Sequence, residues 1–195
     1  PKQINKKLVE KCSKAETATI GHIRNMGFAD RRIQNVLNNN LTISGTAVTL
    51  SIPGQDSTLL HHVIQFLRPG DILCIDRLGD DKHACLGGGV AAAIVASGCV
   101  GVILDGPCTD VPEIEEYKLP VWCKGTSPIT TRIYDNGGSF NVPISVGGAV
   151  INPGDLVLAD FSGVLIMSPS DAEADVDWAL AKMSVEFDGL KKMLA

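Results

Sequence analysis

Nowhere in this chain does an apolar run reach the ~18 residues that a membrane-spanning helix needs, so no membrane span is expected. The start, PKQINKKLVEK, is polar and basic; it lacks an apolar h-region, and no secretory signal is visible in it. Positive charge is in short supply as well. Seventeen Lys and Arg stand against 22 Asp and Glu, for a net charge of −5, which argues against nucleic acid as a primary ligand. The six cysteines (Cys12, Cys74, Cys85, Cys99, Cys108, Cys123) include no C-x-x-C pair. Several stand inside apolar segments, where a reduced cysteine behaves as a small hydrophobe. These absences point to a reducing, cytoplasmic compartment.

What is present fits one domain. The chain has 195 residues, 45% of them hydrophobic and 20% charged, enough for a sizeable core. The order of elements alternates between strand and helix. KQINKKLVEKCSK and ETATIGHIRNMG read as helices, the second stopped at Gly27. TISGTAVTLSI (42–52) is rich in β-branched residues and reads as a strand. Ser57 to Leu67 carries apolar residues at helical spacing and ends before Pro69. LPVWCKG (119–125) is a strand, 126–142 an irregular loop or edge hairpin, and 142–169 three short strands joined by glycine turns. PGDILCIDRLGD (69–80) is echoed by PGDLVLADFSG (153–163), either as a weak duplication or as two uses of one turn-to-strand device. A last helix begins at Ser168-Pro169. Its apolar seam (Val176, Leu180, Met183, Phe187, Leu190, Leu194) suits packing on the domain or on a neighbouring subunit.

The most informative stretch runs from Gly70 to Asp110. Strand GDILCID leads to Gly87, Gly88 and Gly89; helix VAAAIVASG returns the chain to strand VGVIL; Asp105, Thr109, Asp110 and Glu113 come after it. In parallel α/β units, ligands collect where strands end and helices begin. Bare backbone N–H groups at a helix start can receive a carboxylate or phosphate, although the same glycines also permit a tight turn and close helix packing. Asp110 offers a hard oxygen ligand or a cap for the next helix. Glu113 is either a group that orients a metal-bound water or a first-turn acid complementing the helix dipole. His83, Cys85 and Cys108 flank the same loops but lack a standard zinc spacing. His22, His61 and His62 fall on expected helices and read as structural or surface residues.

Taken together, GTAVTL, PGDILCID, LGGGVAAAIVASGCVGVILDG, LPVWCKGTSP and VPISVGGAVINPGDLVLADFSGVLIMSP resemble, in order and spacing, the RraA-like family. That family includes the divalent-metal aldolases acting on 4-hydroxy-4-methyl-2-oxoglutarate and 4-carboxy-4-hydroxy-2-oxoadipate. The resemblance covers roughly residues 15–168 and implies a single domain (1–195) of layered β/β/α type with flanking terminal helices. In the aldolases an acidic or glycine position is followed, twenty residues on, by Arg-Asp, two residues, then Glu or Asp. Here Gly88 is followed after twenty residues by Thr109-Asp110, Val111-Pro112 and Glu113. The spacing and the acids are intact, but Thr109 replaces the arginine that contacts the pyruvate moiety, and threonine has no guanidinium fork.

By resemblance Asp110 holds Mg²⁺ or Mn²⁺; Gly87, Gly88, Gly89, Val90 and Thr109 bind a 2-oxo acid, with the Gly89 and Val90 amides on its carboxylate; and Asp110, Thr109 and Glu113 form the catalytic group. The implied chemistry is carbon–carbon bond cleavage by aldol cleavage or decarboxylation, with altered substrate or weakened activity where the arginine is lost. Lys82, Arg77 and Arg132 are candidates to replace it, each also readable as a solvated surface charge. The alternative is a non-catalytic regulator acting by protein–protein contact. The resemblance further implies a homotrimer or hexamer, with Glu186 or Glu173 as the glutamate lent to a neighbour's site. The sequence shows no methyl-donor motif.

Overall fold

A computed structural model describes residues 1–194, with side chains through residue 186. Asn5 opens α1 (Lys6–Cys12) by accepting the Lys7 amide at 2.9 Å. The second helix, α2 (Thr17–Ile20), is a single turn instead of the twelve residues its sequence suggests. The chain is drawn away to the sheet. The Gly27 carbonyl accepts the Ile166 amide at 2.8 Å, and Phe28 bridges Leu165. Gly27 has φ +90°, and a Cβ there would run into the Ile166 carbonyl. This glycine permits a close approach of two backbones; it is not a helix stop.

Next along the chain are β1 (Gln34–Asn35), β2 (Ile43–Ser51), α3 (Thr58–Val63) with a 3₁₀ turn at Ile64–Phe66, β3 (Asp71–Asp76), α4 (Gly88–Ala96), β4 (Gly101–Leu104) and α5 (Val111–Glu116). Then come β5 (Val121–Cys123), β6 (Ser139–Phe140), β7 (Ile144–Val146), β8 (Ala149–Ile151), β9 (Leu156–Asp160), β10 (Gly163–Met167) and α6 (Pro169–Leu194). The main sheet runs β1-β5-β4-β3-β2-β9-β10, with β6 on the β2 edge beyond β9. Strands β2 to β5 are parallel; β1, β6, β9 and β10 run antiparallel to their neighbours. This mixed α/β sheet matches the expected class.

Parallel strands must be covered on both faces, and three apolar clusters do this. Leu73, Ile75, Val102 and Leu104 pack beneath α3, α4 and α5 with Leu60, Ile94 and Ile114. On the opposite face Ile72, Cys74, Ile103 and Trp122 meet Ile144, Val146 and Ile151 of the β7–β8 hairpin. Ala172, Val176 and Ala179 of α6 join Cys12 and Ile20 over β9 and β10. Val176 and Leu180 of the C-terminal seam thus pack on their own domain; Phe187, Leu190 and Leu194 lie outside the described side chains.

Residues 142–169 form four strands, not three. Gly147 and Gly148 both have positive φ (+55° and +76°), the backbone a two-residue hairpin turn demands, so VPISVGGAVI folds into a separate two-stranded sheet. The two Pro-Gly-Asp strands, β3 and β9, lie on either side of β2, one parallel and one antiparallel. Among the described residues no helix is long and apolar enough to cross a membrane.

Candidate functional site

Loops from the carboxyl ends of the parallel strands surround a cleft of about 400 Å³. Its first wall is the turn into α4. Gly87 occupies the N-cap position but has no side chain to cap with. The carboxylate of Asp110, from the loop after β4, does so in its place: the Gly88 amide donates to Asp110 Oδ2 at 2.9 Å. This approach requires glycine, because a Cβ on Gly87 would stand 2.6 Å from Asp110 Oδ2 and 3.0 Å from Thr109 Cγ2. A Cβ on Gly88 would meet Glu113 Cβ at 3.0 Å, whereas Gly89 has nothing within 4 Å. Close packing therefore accounts for two of the glycines, and the third opens onto the cleft. The amides of Gly89 and Val90 lie in the first helical turn and have no intrahelical acceptor.

Asp110 itself takes the left-handed conformation (φ 54°, ψ 45°), which Asp tolerates better than most residues. Its carbonyl accepts the Glu113 and Ile114 amides, each at 3.1 Å, and so starts α5. Its side chain does not cap that helix, which corrects the simple capping reading. The Thr109 hydroxyl stands 3.3 Å from Asp110 Oδ1, and the Thr109 amide donates to the Leu86 carbonyl at 2.9 Å. Asp110 and Glu113 are exposed and Thr109 is half-buried. Glu113 lies against Gly88 through its methylenes, outside the cleft lining.

The second wall is the loop Thr130–Ile133. The Arg132 amide donates to the Gln55 carbonyl at 2.8 Å, and the Arg132 carbonyl accepts the Ser57 amide at 3.0 Å. Asp56 anchors the residues just beyond this loop. Its buried carboxylate accepts the Thr58 amide (3.1 Å) and hydroxyl (2.6 Å) and the Tyr134 and Asn136 amides (2.9 Å each). Burial pushes the Asp56 carboxyl up, but these bonds outweigh it and hold it well below the usual carboxylate range. Asp56 is a residue that sequence reasoning missed; its signal is Asp-Ser-Thr at the start of an apolar-periodic helix.

Of the three candidate cations, the structure brings only Arg132 to the cleft. Arg77 is fully buried instead of solvated, bound to Asp80 (3.0 Å) and to the Gly54 carbonyl. Lys82 lies outside the lining, with its carbonyl accepting the Ser127 hydroxyl at 2.6 Å. Cysteine–histidine chemistry finds no support. His83 Nδ1 is held by Asp80 at 3.0 Å, and burial pushes the Cys85 thiol up to about 11. Cys108 is buried 3.6 Å from Cys123. His61 lies on α3 and lines the cleft, while His22 sits in a turn just after α2. Glu173 and Glu186 are exposed on α6, away from this cleft, Glu186 pairing with Lys182 at 3.0 Å.

No group of three His, Cys, Asp or Glu side chains that could hold a metal occurs among the described residues. That excludes a self-sufficient protein cage of the zinc type. It suits Mg²⁺, which commonly takes one or two carboxylates and fills its remaining positions with water and ligand oxygens. Each Asp110 oxygen has one protein neighbour and keeps acceptor capacity, so the donor set fits a hard divalent cation.

The RraA-like family (Aldolase/RraA) matches residues 14–166. The chain belongs to that family. It is 32% identical over 137 residues to a Halalkalibacterium halodurans protein named "Putative 4-hydroxy-4-methyl-2-oxoglutarate aldolase", covering 70% of this chain and 65% of that one. An Arabidopsis thaliana protein, "Putative 4-hydroxy-4-methyl-2-oxoglutarate aldolase 3", is 29% identical over 154 residues, 79% of this chain and 89% of the relative. Among solved structures, Streptomyces coelicolor RraAS2, described as an unusual member of the RNase ES inhibitor RraA protein family, superposes with a TM-score of 0.83 at 26% identity. That match covers 97% of this chain and 98% of the other. The fold is thus shared with a member of the RraA protein family over nearly the whole chain.

Proposed function

We propose that this RraA-family chain is a divalent-cation-dependent carbon–carbon lyase acting on 2-oxo acids. The observation that carries the reading is the meeting, in one cleft, of an exposed carboxylate with spare acceptor capacity, Asp110, and the unpaired first-turn amides of α4. Asp110 would hold Mg²⁺ or Mn²⁺. When bound, such a cation supplies Lewis-acid polarisation of a keto oxygen. The Gly89 and Val90 amides bind and orient the substrate carboxylate at the positive end of the helix. The Gly88 amide orients the Asp110 carboxylate through Oδ2, and the Thr109 hydroxyl stands 3.3 Å from Oδ1. Glu113, just outside the cleft lining and with no ion-pair partner among the described residues, would orient water or take a proton beside this group.

Ile133 on the second-wall loop, and Ile129 and Tyr134 flanking it, stand exposed, and this supports the proposal that the working form is an oligomer, a trimer or hexamer. A monomeric mass in solution would remove that part. Pyruvate release from oxaloacetate, measured with and without Mg²⁺, tests the activity: the reading expects cation-dependent turnover, and its absence would overturn it. One observation favours a second reading, a non-catalytic regulator: Thr109 replaces the expected arginine in a chain whose fold superposes on an RNase ES inhibitor family member. A tight complex with a macromolecule, together with no Mg²⁺ binding by calorimetry, would decide for it.

A further inference from the structure

Arg132 and Asp110 carry the formal charges of the cleft lining, and they are held very differently. The Asp110 carboxylate is oriented by the Gly88 amide on Oδ2, with the Thr109 hydroxyl 3.3 Å from Oδ1. Arg132 has a fixed backbone and a partly free head: Nη1 donates to the Thr130 carbonyl (3.0 Å), the Thr130 hydroxyl (2.8 Å) and the Thr131 carbonyl (3.0 Å). All three acceptors are neutral and lie within two residues. No carboxylate pairs with Arg132 among the described residues, and Nε and Nη2 form no hydrogen bond there. An arginine folded onto its own loop presents an edge with two donors, the geometry that a carboxylate accepts in bidentate fashion.

The loop is built to hold that position. Gln55 and Ser57 clasp the Arg132 backbone from both sides, and Asp56 between them binds the amides of Tyr134 and Asn136. Thr58, whose hydroxyl donates to Asp56, also accepts the Asp135 amide at 2.9 Å. The start of α3 therefore sets the place of Arg132 from more than seventy residues away in sequence.

We propose that Arg132 is the cation that grips a carboxylate of the cleft's ligand, in the role Thr109 cannot fill, and that Asp56 is the residue positioning it. This deepens the lyase reading and rests on it for the ligand class, an anionic 2-oxo acid. With a dication at Asp110 the cleft carries an excess of positive charge, which selects anions. Arg77 and Lys82, one buried in another pairing and one outside the lining, cannot serve.

The test uses oxalate, a non-reacting carboxylate probe, titrated calorimetrically into the full chain in the presence of Mg²⁺, with Mg²⁺ alone as the reference. Arg132→Gln is expected to weaken oxalate binding about ten- to a hundredfold while leaving Mg²⁺ affinity within about twofold. Arg132→Lys should recover part of the loss. In steady state with oxaloacetate, the Gln variant should raise KM far more than it lowers kcat. Asp56→Asn should weaken oxalate several-fold and accelerate amide hydrogen exchange over residues 130–136, the second readout separating positioning from general destabilisation. Unchanged oxalate binding in Arg132→Gln overturns the proposal, and if wild type still turns over oxaloacetate the lyase reading survives it. Arg132-dependent oxalate binding without turnover leaves the anion site standing and removes the lyase. No oxalate binding by wild type removes both.

Discussion

Two aspartates serve the cleft, Asp110 in its lining and Asp56 behind its second wall, and their carboxylates are held in opposite ways. Asp56 is buried, with four donors from three residues on its carboxylate, three on Oδ1 and one on Oδ2. Asp110 is exposed, with one backbone amide on one oxygen and a distant hydroxyl near the other. A buried carboxylate bound by four donors of its own chain stabilises that chain and is closed to a ligand. One that is oriented but unsaturated costs some stability and stays available. The same residue type is spent on structure behind one wall and left open to a ligand on the other, and the number of bound donors together with burial separates the two.

The sharpest way to break this contrast is to remove the buried member. Asp56→Ala leaves the Tyr134 and Asn136 amides without their acceptor and is expected to cost about 3 kcal/mol, or roughly 6–12 °C in melting temperature for a domain of this size. The pH dependence carries the same sign. The folded Asp56 carboxyl lies below its usual range, so its contribution is complete above the unfolded value of about 4 and fades as pH falls through the folded value. Asp80 behaves alike: burial pushes it up, while bonds from His83, Lys82 and Arg77 win and hold it down. Thermal melts in acid should therefore show a steep loss in wild type and a shallower one in Asp56→Asn.

A smaller effect probes the missing arginine. Thr109→Arg in the Arg132→Gln background should regain about tenfold in oxalate affinity, and distinctly less in wild type, where the role is already filled. Equal gains in both backgrounds would separate Arg132 from the anion site. Smallest of all, Gly89→Ala meets no atom within 4 Å and should stabilise α4 by up to about 1 kcal/mol. The added methyl would nonetheless stand beside the amide proposed to receive the ligand carboxylate. A variant more stable and yet weaker for oxalate is the expected pairing, checked by melting and calorimetry on one sample; stronger oxalate binding would count against the amides.

Much of this molecule was legible because its central strands are β-branched runs ended by Asp and Gly; TISGTAVTLSI and PGDILCID became β2 and β3 within a residue or two. The two-residue strands β1 and β6 carry no pattern of their own and exist because β5 and β2 offer them an edge. The stretch 16–27 looks helical locally, but long-range pairing with β10 wins. At the site, Gly87–Gly89 and Asp110 were visible as types at a spacing. That Asp110 caps α4 rather than α5 was not, since the choice depends on a contact 22 residues back. The burial of Arg77 and the arrival of Arg132 at the cleft are tertiary outcomes too, and Asp56 holds its loop across 78 residues.

If this cleft is a lyase site, Asp110 must bind a divalent cation that the reaction needs. Asp110→Asn tests this with the least disturbance, since Asn also tolerates the left-handed backbone and keeps an oxygen for the Gly88 amide. Mg²⁺ titration of wild type and variant, and then pyruvate release from oxaloacetate on the same preparations, should give saturable binding and cation-dependent turnover in wild type. The variant should lose both by at least about a hundredfold with its melting temperature nearly unchanged. Equal Mg²⁺ binding and equal turnover in the two proteins would contradict the account.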